Sequence, residues 1–501
     1  MLRLRQWLWE ILAPLTGLML SRAFAPYDFG YLALVALVLF YGLCLGGSPA
    51  RSALRGYLFG LGLFGFGIWW VYISIHDFGG SGPFSAMLIG GMLVALCALF
   101  PALTAFLSAK LLDMTGVWFR LLAIPLVWVA VEYFRGYWLL NGFPWLQIAY
   151  SQLHTPLAGY APLVGVYGIG FLLAASAVTL IEIWRKKLVP LHGLVFMMLI
   201  WGSGWALQFV TWTQVAGPPI KVALVQGNIA QDLKWLPEYR QQTLALYRQL
   251  TEQHWDADVI VWPETAIPAF LHEVKTEFLA PLAASADRHG VDVIVSVPSR
   301  GEGKAYYNSA TVLSDMNRLY HKNHLLPFGE YLPLQPLSGW ILDRFRIPLG
   351  SFVAGAERQS LLSAGGHAFV TTICYEDAFA ELVTRQVENA GYLVNLTNDA
   401  WFGDSEQPHQ HLQMAQMRAL ETGRYLLRAT NTGLTAIVMP DGTILNQAPL
   451  FTTTVLTGSI LPMTGTTPYV RFGDYWLFVA LFARVFVVYG LIQTRRGRAM
   501  Q

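Results

Sequence analysis

The stretch Val370-Thr-Thr-Ile-Cys-Tyr-Glu-Asp377 places a cysteine at the end of a β-branched run and follows it with an aromatic residue and two carboxylates. Branched side chains fit a pleated, packed surface, so the run predicts a buried strand ending at Cys374. Two readings of that cysteine compete. Free cysteine commonly packs as a small hydrophobe, whereas a thiol at a strand end, beside ionisable groups, suits a nucleophile.

Working outward, the same kind of run recurs as Lys221-Val-Ala-Leu-Val-Gln-Gly-Asn-Ile229, Ala257-Asp-Val-Ile-Val-Trp-Pro-Glu-Thr265 and Val291-Asp-Val-Ile-Val-Ser-Val-Pro-Ser-Arg300, with charged helical stretches between. That alternation predicts an α/β layered domain over residues 219–463, with reactive groups at strand ends and the loops after them. A domain of that size can bury a full core.

The flanking sequence is of another kind. The chain has 501 residues, 54% hydrophobic and 13% charged, whereas soluble proteins run at about 45–50% and about 25%. Apolar runs at about 7–25, 29–47, 55–75, 84–109, 121–140, 157–183 and 188–210 give seven candidate membrane spans in residues 1–210, and 474–493 gives an eighth. A cytoplasmic tail, 494–501, would follow. Net charge is only +2, and Lys and Arg fall in short separated clusters, which argues against a nucleic-acid partner.

Orientation follows from the basic residues of short loops. Alternate sides collect Arg3, Arg5, Arg51, Arg55, Lys110, Arg120, Arg185, Lys186, Lys187, Arg495, Arg496 and Arg498, against Arg22 and Arg135 alone. Both termini are therefore expected in the cytoplasm and the 219–463 domain outside, in the periplasm of a bacterium. Arg3, Arg5 and Ser21-Arg-Ala-Phe-Ala25 imitate a signal peptide, but Glu10, Pro14 and Pro26 favour an uncleaved first span. Cys44 and Cys97 fall within spans, so Cys374 has no disulfide partner in the exported domain.

Three strand ends carry ionisable groups. Val-Ile-Val-Trp-Pro ends in Glu264; Tyr320-His-Lys322-Asn-His-Leu-Leu-Pro-Phe-Gly-Glu330 places a lysine just past the strand-like Ala-Thr-Val-Leu and a glutamate beyond it; Cys374 ends the third. A base, a cation for an oxyanion and a nucleophile can come from Glu, Lys and Cys without histidine. Each piece alone also suits a solvated loop residue.

Together, in this order within one α/β domain, the three blocks resemble the signatures of the nitrilase superfamily, the carbon–nitrogen hydrolases. With spans before and after, and with PFGEYLP (327–333) and NDAWFG (398–403), the whole chain is similar to the bacterial apolipoprotein N-acyltransferases. The resemblance implies an αββα sandwich with Glu264 as general base, Lys322 as transition-state-stabilising cation and Cys374 as nucleophile. It also implies that Glu330, Tyr375 and Glu376 belong to the active site, and that Trp235 is a loop tryptophan the family needs. The implied reaction moves the sn-1 acyl chain of a phospholipid, typically phosphatidylethanolamine, through a Cys374 thioester to the α-amine of a diacylated lipoprotein. No cofactor is implied, and a monomer is the default expectation.

The loop Leu337–Phe352 is unusually apolar, and Trp340 and Phe345 are candidates to dip into lipid beside Arg344 and Arg346, or to fold onto the domain's own core. Gly60-Leu-Gly-Leu-Phe-Gly65 fits a dinucleotide-loop pattern but lies within a span, so small-residue helix packing is expected. His321, His324, His409 and His411 stand in no structural-zinc spacing; helix-start or surface histidines, and no metal, are expected. Arg418, Glu421 and Arg424 suit either an ordered shell around the site or surface pairs. Glu132 and Arg484, in or near spans, are expected to serve structure and are candidates to pair. A membrane-anchored amidase using the same three residues stays open, as does a transporter with an exported binding domain.

Overall fold

The computed structural model describes residues 2–45, 47–112, 116–301, 305–331 and 352–479. The chain divides into two compact units: one holds Trp69–Gly90 and Thr211–Val470, and the other holds Met1–Ile68, Gly91–Val210 and the described residues from Arg471.

Among the described residues, and apart from a small two-stranded ribbon of Gln214–Val215 with Met463–Thr464, the first unit is built on twelve strands: β1 (Ile220–Gln226), β2 (Val259–Val261), β3 (Asp292–Arg300), β4 (Tyr306–Val312), β5 (Tyr320–His321), β6 (Leu362–Ala364), β7 (His367–Ile373), β8 (Tyr392–Thr397), β9 (Leu426–Thr430), β10 (Ala436–Val438), β11 (Ile444–Gln447) and β12 (Thr454–Ile460). They form two six-stranded sheets, ordered β12-β1-β2-β3-β4-β5 and β11-β10-β9-β8-β7-β6. In each sheet three strands run parallel, β1-β2-β3 and β7-β8-β9, and the outer ones are antiparallel.

Successive residues of a strand face opposite sides, so a strand covered on both faces reads as a near-continuous apolar run. In β1, Val222 and Leu224 meet Phe369, Ile373, Val394 and Leu396 of the other sheet. Its Ala223 and Val225 face away, packing with Leu244 and Tyr247 of the helix Pro237–Glu252 and with Leu282 and Ala286 of the helix Ala280–His289. On the second sheet Val370, Leu393 and Leu426 pack against Leu412, Ala415 and Ala419 of the helix Gln407–Thr422. The layers are therefore helix, sheet, sheet, helix, as the family resemblance implied.

In the other unit, Leu2–Ser21, Gly30–Cys44, Pro49–Gly67, Val117–Trp138, Ala161–Trp184, Pro190–Leu207 and most of Pro83–Leu112 are apolar helices. Among the described residues four helical segments are long and apolar enough to cross a membrane: Pro83–Leu112, Val117–Asn141, Pro156–Trp184 and Pro190–Leu207. A fifth counts if Pro49–Gly67 and Val71–Phe78 form one broken span, and Leu8–Ser21 and Gly30–Cys44 are shorter. The expected count of eight is thus not reached. The apolar stretch 55–75 is interrupted after Gly67, a break that hydropathy does not register, and most of 474–493 lies outside the described residues.

Small-residue packing explains the Gly60–Gly65 pattern. A Cβ on Gly60 would lie 2.6 Å from the Cα of Ala98, and one on Gly62 would lie 2.0 Å from the carbonyl oxygen of Pro14. Glu132 accepts a hydrogen bond from the Ile148 N–H at 3.0 Å and stands 4.0 Å from Arg135. Its candidate partner Arg484 lies outside the described residues. Arg120 and Glu182 form a further buried pair at 2.7 Å.

Candidate functional site

The three ionisable strand ends converge. Glu264 follows β2, Lys322 follows β5 and Cys374 follows β7. Lys322 does not directly follow the Ala-Thr-Val-Leu strand, as the sequence suggested. That segment closes β4, and the chain returns antiparallel through β5, so that the Lys322 N–H donates to the Asn308 carbonyl at 2.8 Å.

Lys322 Nζ lies 2.9 Å from Glu330 Oε1 and 3.7 Å from Glu264 Oε1, with Lys322 only 2% exposed. Burial opposes its charge, but Glu330 and Glu264 outweigh burial and hold the ammonium above the ordinary lysine range. Glu330 is itself fixed, its Oε2 accepting the Leu326 N–H at 2.8 Å.

Cys374 has φ 53°, a left-handed backbone unusual for a residue with a Cβ, and opens the tight turn Cys374–Ala378. The residue is partly accessible while its thiol sits among buried groups. Burial foremost, then Glu264, raises the thiol well above its ordinary range, with Lys322 opposing. A thiol so raised reacts only if its proton is taken during attack.

Glu376, fully buried, ties this turn to the lysine loop. Its Oε1 accepts the N–H groups of Asn323 at 2.6 Å and His324 at 3.0 Å, and its Oε2 accepts the Ile373 N–H at 2.8 Å and the Tyr320 hydroxyl at 2.9 Å. Burial pushes this carboxyl up to about 7 against those donors. Tyr375 is buried edge-on to Phe379 at 5.2 Å. Trp235 is 52% exposed on its turn. Trp340 and Phe345 lie outside the described residues.

Two groups escaped the reading of the sequence, as did the setting of a third. Asn308, on β4 and 4% exposed, donates from Nδ2 to Glu264 Oε1 at 2.7 Å and to Glu330 Oε1 at 3.3 Å, so one amide spans both carboxylates. Lys234, beside Trp235, is buried, and its Nζ donates to the Glu264 carbonyl at 3.2 Å. Burial lowers it to about 8, with Glu264 and Cys374 opposing. His411 is no surface histidine: it is 1% exposed, packed between Asp377 and Asp399. Its burial is set by partners distant in the chain, which local spacing does not reveal. Arg418 and Glu421 form a buried pair, and Arg424 donates to the carbonyls of Ala390 and Gly465, so these three are core groups and not surface pairs.

Residues 16–179 match the family described as Apolipoprotein N-acyltransferase N-terminal domain, and residues 221–469 match the Carbon-nitrogen hydrolase family. The chain is 47% identical over 495 residues to a protein of Methylococcus capsulatus named apolipoprotein N-acyltransferase, covering 97% of this chain and 96% of that protein. The chain belongs to the apolipoprotein N-acyltransferase family. Family members of the same name from Nitrosomonas europaea and Pseudomonas syringae are each 41% identical, covering 93% and 94% of this chain and 94% of each of those proteins. As a family member the chain joins apolar helices of membrane character to a domain of the nitrilase superfamily.

Proposed function

We propose that this protein transfers the sn-1 acyl chain of a phospholipid, phosphatidylethanolamine in particular, to the N-terminal α-amine of an S-diacylglyceryl-cysteine lipoprotein. The reading is carried by one observation: the lysine ammonium after β5 sits 2.9 Å and 3.7 Å from two carboxylates, and its charge and that of Glu264 both act on the thiol after β7.

Glu264 accepts the Cys374 proton as the sulfur attacks the ester carbonyl. The tetrahedral oxyanion meets the Lys322 ammonium and the main-chain N–H of Tyr375. The C–O bond breaks, Glu264 returns the proton to the departing glycerol oxygen, and a lysophospholipid leaves a thioester on Cys374. An α-amine has a pKa of about 8, so a substantial neutral fraction attacks the thioester. Glu264 takes the amine proton, the C–S bond breaks, and that proton restores the thiol as the amide forms. Two half-reactions on one sulfur give ping-pong kinetics.

The raised thiol supports a base-assisted attack over a resident thiolate, and Glu330, Asn308 and Glu376 hold the base and the cation in register. Both substrates carry acyl chains, which supports a catalytic domain over 219–463 held at the outer leaflet of a bacterial inner membrane by eight spans, with both termini cytoplasmic. Trp340 and Phe345 would dip into lipid, and Trp235 would serve the active site as a loop residue.

The test supplies the purified protein with phosphatidylethanolamine of defined sn-1 chain and a synthetic diacylated lipopeptide. The expected product is heavier by that one chain, and Cys374→Ala yields none. Release of free fatty acid with no lipopeptide gain, or Cys374-dependent ammonia release from simple amides, would replace the transferase with a hydrolase.

A further inference from the structure

Behind the nucleophile lies a closed ring of buried charge that the reaction above leaves unused. Asp377 belongs to the turn after β7, Asp399 to the turn Asp399–Phe402 after β8, Arg428 to β9, and His411 to the helix Gln407–Thr422. His411 Nδ1 is 2.9 Å from Asp399 Oδ1, and its Nε2 is 2.9 Å from Asp377 Oδ1. Arg428 closes the ring, Nη1 to Asp377 Oδ2 and Nη2 to Asp399 Oδ2, both at 3.1 Å. All four side chains are 0–1% exposed.

Two features connect this ring to the thiol. Asp377 sits three residues beyond Cys374 in the same tight turn. The Cys374 carbonyl accepts from His411 Nε2 and from Asn395 Nδ2, each at 3.3 Å, while Asn395 Oδ1 accepts from Arg428 Nη1 at 2.6 Å. The left-handed backbone at Cys374, φ 53°, is thus held through its own carbonyl by members of the network.

The donor count fixes the state of His411. Both ring nitrogens face carboxylate oxygens, and a neutral imidazole has one N–H to offer, so only the imidazolium satisfies both. Charge agrees: Arg428 and a charged His411 balance Asp377 and Asp399, whereas a neutral imidazole leaves a buried negative charge uncompensated.

We infer that His411, as an imidazolium bridging Asp377 and Asp399, is a positioning residue that holds the Cys374 turn in its reactive conformation, and that loss of its proton relaxes the nucleophile. The inference rests on the reading of Cys374 as the acylated residue.

The groups facing His411 are Asp377, Asp399 and Arg428, together with Gln407 one helical turn away at 3.5 Å; Glu376 of the same turn instead binds main-chain N–H groups of the lysine loop. Burial and Arg428 oppose protonation, Asp377 and Asp399 outweigh them, and the imidazole is raised from 6.5 to about 9. A raised value means that the ring's contribution is complete below 6.5 and is lost as the pH rises through about 9. Lys322 is held far above that window and stays charged across it.

The test is the single-turnover rate of Cys374 acylation by a phospholipid, read by intact mass from roughly pH 6 to 10.5, for the full chain, His411→Gln and Asp399→Asn. Gln keeps a donor toward Asp377 but cannot carry charge. Wild type is expected to outpace His411→Gln by roughly ten- to hundredfold at neutral pH, the scale of a misplaced reacting group, and the gap is expected to close above about pH 9. Lys234 titrates equally in both proteins, so their ratio isolates His411. Asp399→Asn removes a carboxylate that holds the proton, and its alkaline fall is expected at lower pH than in wild type. A ratio constant with pH overturns the inference, and so does a wild-type rate that keeps rising through pH 10, a result that needs no folded variant. No adduct on Cys374 in any protein overturns the nucleophile reading itself, and the positioning role falls with it.

Discussion

Replacing Asn308 with Leu removes one amide that donates to two carboxylates, at 2.7 Å to Glu264 and 3.3 Å to Glu330, in a place only 4% exposed. Leu keeps the branch at Cγ but is bulkier than Asn, so the melting temperature has to report on packing separately. A hydrogen bond to a charged group is worth about 1.5–3 kcal/mol, and counting only the shorter bond, acylation should slow roughly 10- to 150-fold. Asn308→Asp keeps the shape and adds a third carboxylate. At an effective dielectric of about 20 and separations near 3 Å, two like charges repel by about 5 kcal/mol. The cluster will take up a proton instead, and the acidic limb of the rate profile should rise by at least about 1 pH unit. The assay is rapid-quench formation of the acyl-enzyme across pH, with melting temperature as the control for folding. A Leu variant as fast as wild type, or an Asp variant with an unmoved acidic limb, would refute the clamp assigned to Asn308.

Lys322→Met should lower the acylation rate by roughly 10²–10³-fold, the cost of losing one oxyanion donor, and the same pair of proteins in a lipopeptide assay checks it. Asp399 is held down to about 2, burial opposing and Arg428 and His411 prevailing. Its depressed value places its stabilisation above 3.8, to be lost as pH falls through about 2. Asp399→Asn should therefore cost about 3–5 kcal/mol at neutral pH, measurable by denaturant unfolding, and much less in strong acid. Gly62→Ala puts a methyl 2.0 Å from the Pro14 carbonyl oxygen, and overpacking of about 1–3 kcal/mol should lower the melting temperature in detergent.

The layers were readable because strands buried on both faces carry unbroken apolar stretches, as in Val222–Val225 of β1, Val259–Val261 of β2, Val293–Val295 of β3 and Tyr392–Val394 of β8. Cys374 and Glu264 stood out because each stands where an apolar run hands the chain to a loop, the place where reactive side chains gather, whereas Lys322 follows the short polar strand Tyr320–His321 and stood out only together with the other two blocks. Asn308 did not, since its amide reaches both carboxylates only through the pairing of β4 with β3 and β5, a register that no local pattern encodes. His411 does lie near a helix start, as one expectation had it, but its burial was missed for a related reason. A Pro-His-Gln-His segment at a helix start looks solvated, and only tertiary folding brings Asp377, Asp399 and Arg428 around it. At 55–75 an apolar window passes unbroken through the helix break after Gly67, so hydropathy alone does not show that this span would be a bent one.

The most direct measurement is the intact mass of the purified protein after incubation with a phospholipid of defined sn-1 chain and no acceptor, followed by peptide mapping. A gain of one such acyl chain on Cys374, sensitive to hydroxylamine and discharged by a diacylated lipopeptide, is the expected result. Acyl transfer to the lipopeptide with no adduct on Cys374, or with undiminished activity in Cys374→Ala, would contradict a thioester at the end of β7.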